Sequence, residues 1–182
     1  MATSGPARLL VVDDEPMVRE LLCSYLGENG FECLGSGGVE DALRCLASGR
    51  IDLIISDLHM PGRTGLELLE AVGVSYPETA FLMATAAPDT RVAIEAMRNG
   101  AADFLLKPLD LKHVLATVRE ALERQRARLA VERRRREVER LLAERTEQLS
   151  FALRQLQQAS AETLQALAMA VDVRAHDVAG HS

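Results

Sequence analysis

An α/β fold, with five parallel strands in a doubly wound sheet and a long C-terminal helix or coiled coil after it, is what the sequence predicts from three observations. Short apolar runs alternate with amphipathic segments five times over about 110 residues, the rhythm of βα units in a parallel sheet with helices on both faces. The central run, "IDLIISD", is continuously apolar rather than alternating, which suits a strand covered on both faces. From Asp110 onward no Pro or Gly occurs until Gly180, and apolar residues recur at three- and four-residue spacing.

"ARLLVVDD" reads as a buried strand and "EPMVRELLCSYLGENG" as a helix, with Pro16 suited to its first turn and Gly30 to its end. "FECLGS" is a short strand. "GVEDALRCLASG" is a helix whose apolar face is Val39, Ala42, Leu43 and Leu46. "IDLIISD" is the third strand, "TGLELLEAVGVSY" the third helix and "TAFLMATA" the fourth strand. "DTRVAIEAMRNG" is the fourth helix and "ADFLLKP" the fifth strand.

The last segment carries two apolar series. Leu115, Val118, Leu122, Gln125 and Leu129 form the first, and Val138, Leu142, Arg145, Leu149, Ala152, Leu156, Ala159, Thr163 and Ala166 the second. They are out of phase by one residue, with the mismatch around Arg133–Arg136. Heptads over this length predict a dimeric coiled coil with a local register break, because a single long helix cannot bury its own seam.

Composition bounds the function. Of the 182 residues 48% are apolar but only 3% aromatic and none is Trp, so the core is built from Leu, Ala, Val and Ile. No run of 18 apolar residues exists and the N-terminus lacks a secretory signal, so a cytoplasmic protein without membrane insertion is expected. Cys23, Cys33 and Cys45 are odd in number and lack metal-ligand spacing, and they read as reduced thiols. Residues 1–110 carry a net charge of -9 and residues 111–182 one of +3, a shift that marks a boundary near residue 110. Arg133–Arg136 is flanked by Glu132, Glu137 and Glu139 and has no aromatic or helix-turn-helix pattern beside it. It reads as a solvated helix face, with no nucleic-acid partner expected.

The chemistry gathers at strand ends. Asp13 and Asp14 end the first strand, Asp57 the third, Thr85 the fourth, and Lys107 with Pro108 the fifth. In a parallel sheet these all fall on one edge, where function collects. Carboxylates brought together repel and want a cation, and oxygen ligands with room for water favour Mg²⁺. A carboxylate beside Mg²⁺ and an ammonium is a plausible nucleophile for a phosphoryl group.

"LLVVDDEP", "IDLIISDLHMPGRTGLELL", "MATA" and "GAADFLLKPLD" resemble, in order and spacing, the signature segments of the receiver domain of two-component response regulators, a flavodoxin-like (CheY-like) fold. The resemblance covers about residues 7–125. It implies that Asp57 is the phosphoacceptor, charged by a histidine kinase, and that Asp13, Asp14, Asp57 and the backbone carbonyl of His59 hold Mg²⁺. Thr85 would bond the phosphoryl group, Lys107 would pair with it, and Pro108 would follow a cis peptide. Phe104 matches the switch aromatic that turns inward when Thr85 moves. His59 reads as more of a bystander than a catalyst of hydrolysis.

The tail, "ERTEQLSFALRQLQQASAETLQALAMAVDVRAHDVAGHS", resembles the linker and first helix of an HD-GYP domain, the output of response regulators that degrade cyclic-di-GMP. Thr163, Ala166, Leu167, Ala170, Arg174 and Gly180-His181-Ser182 match, whereas Arg174-Ala175-His176-Asp177 departs from that family's Arg-Asp-aromatic-Thr. The resemblance implies that His181, with Asp177 a turn away, would belong to a metal set of Fe or Mn type. Two ligands cannot close such a site, so no phosphodiesterase activity is expected of these 182 residues. The organisation expected is therefore a receiver over 1–125, a coiled-coil linker over 126–160 and the first helix of a truncated output domain over 161–182. It would dimerise through the linker. The rivals are an adaptor whose coiled coil is itself the output, and a DNA-binding regulator, disfavoured for want of a recognition helix.

Overall fold

The computed structural model describes residues 5–86 and 90–179, with side chains described except at 90–93, 159 and 166–179. The chain divides into two compact units, one reaching Ala130 and the other beginning at Val131.

In the first unit the strands β1 (Arg8–Val12), β2 (Glu32–Ser36), β3 (Leu53–Asp57), β4 (Ala80–Thr85) and β5 (Asp103–Leu106) form one sheet in the order β2-β1-β3-β4-β5. Every pairing is parallel. Between them run α1 (Pro16–Glu28), α2 (Val39–Ser48), α3 (Gly65–Ser75) and α4 (Thr90–Arg98), and α5 (Leu111–Ala179) follows. The predicted fold class and element order hold.

Strand side chains alternate between faces, and both faces are covered. Leu10, Val12, Ile54, Phe81 and Met83 face one layer, where Val39, Ala42 and Leu46 of α2 and Leu68, Leu69 and Val72 of α3 pack on them. Leu9, Val11, Leu53, Ile55, Leu82 and Leu105 face the other, against Leu22 and Leu26 of α1 and Val114, Val118, Ala121 and Leu122 of α5. Neither face of the central strand β3 meets water, which is why "IDLIISD" carries no alternation. Pro16 opens α1 as expected, and Gly30 follows its end with φ of 92°, a left-handed turn that glycine adopts without strain.

The first apolar series of α5 differs from its expected use. Val118, Leu122 and Leu129 are buried and Leu115 packs on the core of the first unit, so this series is an intramolecular packing stripe rather than a dimer seam. Gln125 and Arg128 donate to the carbonyl of Pro77 at 3.2 and 2.7 Å. The first series answers to the sheet and so need not keep the phase of the second.

In the second unit, Val138, Leu142, Leu149 and Leu156 are exposed on a helix laced with short-range ion pairs such as Arg135–Glu139 and Arg140–Glu144. No described helix is long and apolar enough to cross a membrane. The side chain of Asp177 and all of Gly180-His181-Ser182 lie outside the described residues.

Candidate functional site

The sheet order places β1 beside β3, so the acids that follow β1 meet the acid that ends β3. Asp57 is the last residue of β3 and is 8% exposed, while Asp13, just past β1, is 2% exposed. Asp14 beside it faces solvent. Carboxylate oxygens of Asp13, Asp14 and Asp57 all lie within 4.8 Å of one another.

Lys107, one residue past β5, reaches over this cluster. Its Nζ donates to Asp13 Oδ2 and to Asp57 Oδ2, both at 2.8 Å. Burial alone would lower the lysine's proton affinity, but the hydrogen bonds to Asp13 and Asp57 and their charges outweigh it. The ammonium is held above the ordinary lysine value. The backbone of Lys107 is set by its N–H donating to the Thr85 carbonyl at 2.9 Å, and the Lys107–Pro108 peptide is cis, as expected.

Two like charges 4.8 Å apart repel by roughly 3 kcal/mol at an effective dielectric of about 20. One ammonium against three carboxylates leaves an excess of negative charge. The donor set is oxygen only and one of its members is open to water, which fits a hard divalent cation such as Mg²⁺.

Several contacts hold Asp13 and Asp57 in place. The N–H of Glu15 donates to Asp13 Oδ1 at 2.9 Å, and the Arg19 guanidinium donates to the Asp13 carbonyl at 2.6 Å. The Ser56 hydroxyl donates to the Asp57 carbonyl at 2.9 Å. The N–H of Leu58 donates to the carbonyl of Ala84, and Asp57 pairs with Ala84 in the β3–β4 register. Thr85, one residue further along β4 than the partner of Asp57, is buried.

Sequence reasoning missed Arg19 and Gly65. Gly65 opens α3 after a capping box in which Thr64 and Glu67 each bond the other's backbone N–H. A Cβ on Gly65 would meet the Asp57 carbonyl oxygen at 2.2 Å and Met83 Sδ at 3.0 Å. The first turn of α3 thus rests directly on the backbone of Asp57. The available signal was a glycine at a helix start where propensity disfavours it. Gly65→Ala is expected to destabilise the fold by about 2 to 3 kcal/mol, because a backbone atom cannot rotate away from the added methyl. A urea denaturation midpoint equal to that of the parent protein would contradict this.

The remaining predicted residues lie nearby without joining the cluster. His59 is exposed, two residues beyond Asp57. Phe104 is 40% exposed on β5 and lines a shallow hollow with Leu106, Pro108, Asp110, His113 and Thr117.

The sequence matches the family profile described as response regulator receiver domain over residues 9–119. Among curated proteins it is similar to transcriptional regulatory protein AruR of Pseudomonas aeruginosa, at 36% identity over 124 residues, covering 65% of this chain and 50% of that protein. It is also similar to response regulator protein FleR of the same organism, at 40% identity over 117 residues, covering 64% and 25%. The chain thus spans between a quarter and a half of the length of these two relatives. Among solved structures it resembles the signal receiver domain of an HD domain-containing protein from Pseudomonas fluorescens Pf-5, with a TM-score of 0.67 and 28% identity, covering 71% of this chain and 96% of that one.

Proposed function

The chain belongs to the response regulator receiver domain family of two-component signalling, and from that premise we propose that Asp57 is its phosphoacceptor. The observation that carries this is the bridge from Lys107 Nζ to Asp13 and Asp57, two oxygens at 2.8 Å that ready both a nucleophile and its counter-charge. An oxygen of Asp57 attacks phosphorus in a phosphohistidine of a histidine kinase. The P–N bond breaks, the imidazole departs and an acyl phosphate forms. Asp13, Asp14 and Asp57, with the His59 carbonyl, are the groups that would hold Mg²⁺, which when bound offsets charge on phosphoryl oxygens. Lys107 stays charged throughout and pairs with the oxygens that arrive. Incubation with Mg²⁺ and acetyl phosphate is expected to add one phosphoryl group per chain. An unchanged intact mass would count against the reading.

The switch would follow from Thr85 and Phe104. A phosphoryl group on Asp57 offers new acceptors, Thr85 moves to donate to them, and Phe104 turns from the surface into the space left. Its present exposure is consistent with the unphosphorylated state.

The second apolar series supplies the relay. Leu142, Leu149 and Leu156 are exposed at heptad spacing, and a second copy of this chain would cover them. Burying one leucine contributes roughly 2 kcal/mol, and a dimer has two at each level. Leu149→Glu is therefore expected to weaken the dimer about a thousandfold. Light scattering at micromolar concentration should show a dimer for the parent protein and a monomer for the variant; equal masses would remove the helix from the interface.

For the output we propose an HD-GYP domain that hydrolyses cyclic-di-GMP, supported by the matches at Thr163, Ala166, Arg174 and Gly180-His181-Ser182. The structural neighbour from an HD domain-containing protein also supports it. A transcription-regulating output that binds DNA is the second reading, favoured by the similarity to transcriptional regulatory protein AruR. Metal-dependent hydrolysis of cyclic-di-GMP by the full-length protein separates the two from a sequence-specific shift of duplex DNA.

A further inference from the structure

Two cysteines that the proposed phosphoacceptor chemistry leaves unused meet between α1 and the edge strand β2. Cys23 projects from α1 and Cys33 is the second residue of β2, and their sulfurs lie 2.9 Å apart with the Cys33 S–H donating. Both are half-buried against the core layer that contains Leu9 and Leu22. β2 pairs with β1 alone, so this contact lies at the sheet's margin. Arg19, one helical turn before Cys23, adds a positive charge beside it. Accepting the Cys33 hydrogen bond holds the Cys23 thiol below its ordinary value, against burial and with help from Arg19. Donating that bond, and burial, push the Cys33 thiol up. The third cysteine, Cys45, packs in the layer on the opposite face of the sheet.

Two thiols in contact, one favoured as thiolate by a cation and by its neighbour's S–H, make up the parts of a redox dithiol: an attacking sulfur and a resolving one. We propose that Cys23 and Cys33 form a reversible dithiol–disulfide site that accepts oxidising equivalents from low-molecular-weight disulfides. The Cys23 thiolate attacks one sulfur of the oxidant, forming a mixed disulfide and releasing one thiolate. Cys33 gives its proton to solvent and attacks Cys23 Sγ, so the protein disulfide forms and the second small thiol leaves. Two protein thiols are oxidised by two electrons, and the small disulfide is reduced to two thiols. The bond ties α1 to β2, within the domain whose Arg19 also holds the Asp13 carbonyl.

The test uses the whole chain, reduced and then exposed to excess oxidised glutathione. Peptide mapping without reductant is expected to show a Cys23–Cys33 link, an intact mass lower by two hydrogens, and full reversal by dithiothreitol. Cys45→Ser should leave this unchanged, whereas Cys33→Ser should stop at a glutathione adduct on Cys23. A link through Cys45, or glutathione persisting on the parent protein with no internal link, would overturn the proposal. A second measurement is independent of whether the variants fold. In the native parent protein iodoacetamide should alkylate Cys23 about tenfold faster than Cys45, and equal rates would overturn it too.

Discussion

Asp57→Asn is expected to abolish phosphoryl uptake from acetyl phosphate and the response to beryllofluoride. The amide has the carboxylate's shape, so the strand end, the Ser56 bond to the Asp57 carbonyl and the contact with α3 are all retained. What disappears is the nucleophile, because an amide oxygen does not form an acyl phosphate under these conditions. Lys107 keeps Asp13 as a partner in the variant, so the fold loses one ion pair and not the network. Retention of the parent protein's far-ultraviolet dichroism with complete loss of incorporated phosphate is the expected pair of results. Equal incorporation by parent and variant would move the acceptor elsewhere, with Asp13 the first alternative because its Oδ2 meets the same ammonium.

Lys107→Met is expected to slow phosphorylation by a factor on the order of 10² to 10³. The methionine fills similar volume but leaves Asp13 and Asp57, both almost fully buried, facing each other without the ammonium between them. Lys107→Arg should rescue little, since a planar fork cannot reproduce one point charge 2.8 Å from two separate carboxylates. Rates from acetyl phosphate at saturating Mg²⁺ would decide, and a loss of less than threefold would remove Lys107 from the reacting group. The pH dependence has a definite sign. The lysine's folded value is raised, so its contribution to stability is fully present below the ordinary value of about 10.4 and is lost as pH climbs through the raised one. Between pH 9 and pH 11 the parent protein should lose more of its urea midpoint than Lys107→Met does. Parallel losses would mean that the ammonium gains nothing from its partners.

Most of the fold was legible because its determinants are local or periodic. Pro16 and Gly30 mark the ends of α1, and Val39, Ala42 and Leu46 bury as their helical spacing requires. The site was legible for a related reason. A parallel sheet sends every strand's carboxyl end to one edge, so Asp13, Asp57 and Lys107 meet whatever their distance in sequence. For Gly65 the sequence showed only a glycine at a helix start and not its reason, because the restriction comes from the carbonyl of another element, Asp57, close to an atom that glycine lacks.

The contrast is sharpest in α5 and at the cysteines. By itself the sequence determined that a long helix follows Asp110 and that it carries two apolar series out of phase. It did not determine which series had a partner, since periodicity records that a face is to be covered and not by what. Only the tertiary structure assigned Val118 and Leu122 to the sheet and left Leu142 and Leu149 exposed. The sequence likewise counted three cysteines with no motif among them. Packing decided that Cys23 and Cys33 touch while Cys45 lies on the opposite face, because contact between a helix and an edge strand depends on the register of both and on no spacing in the chain.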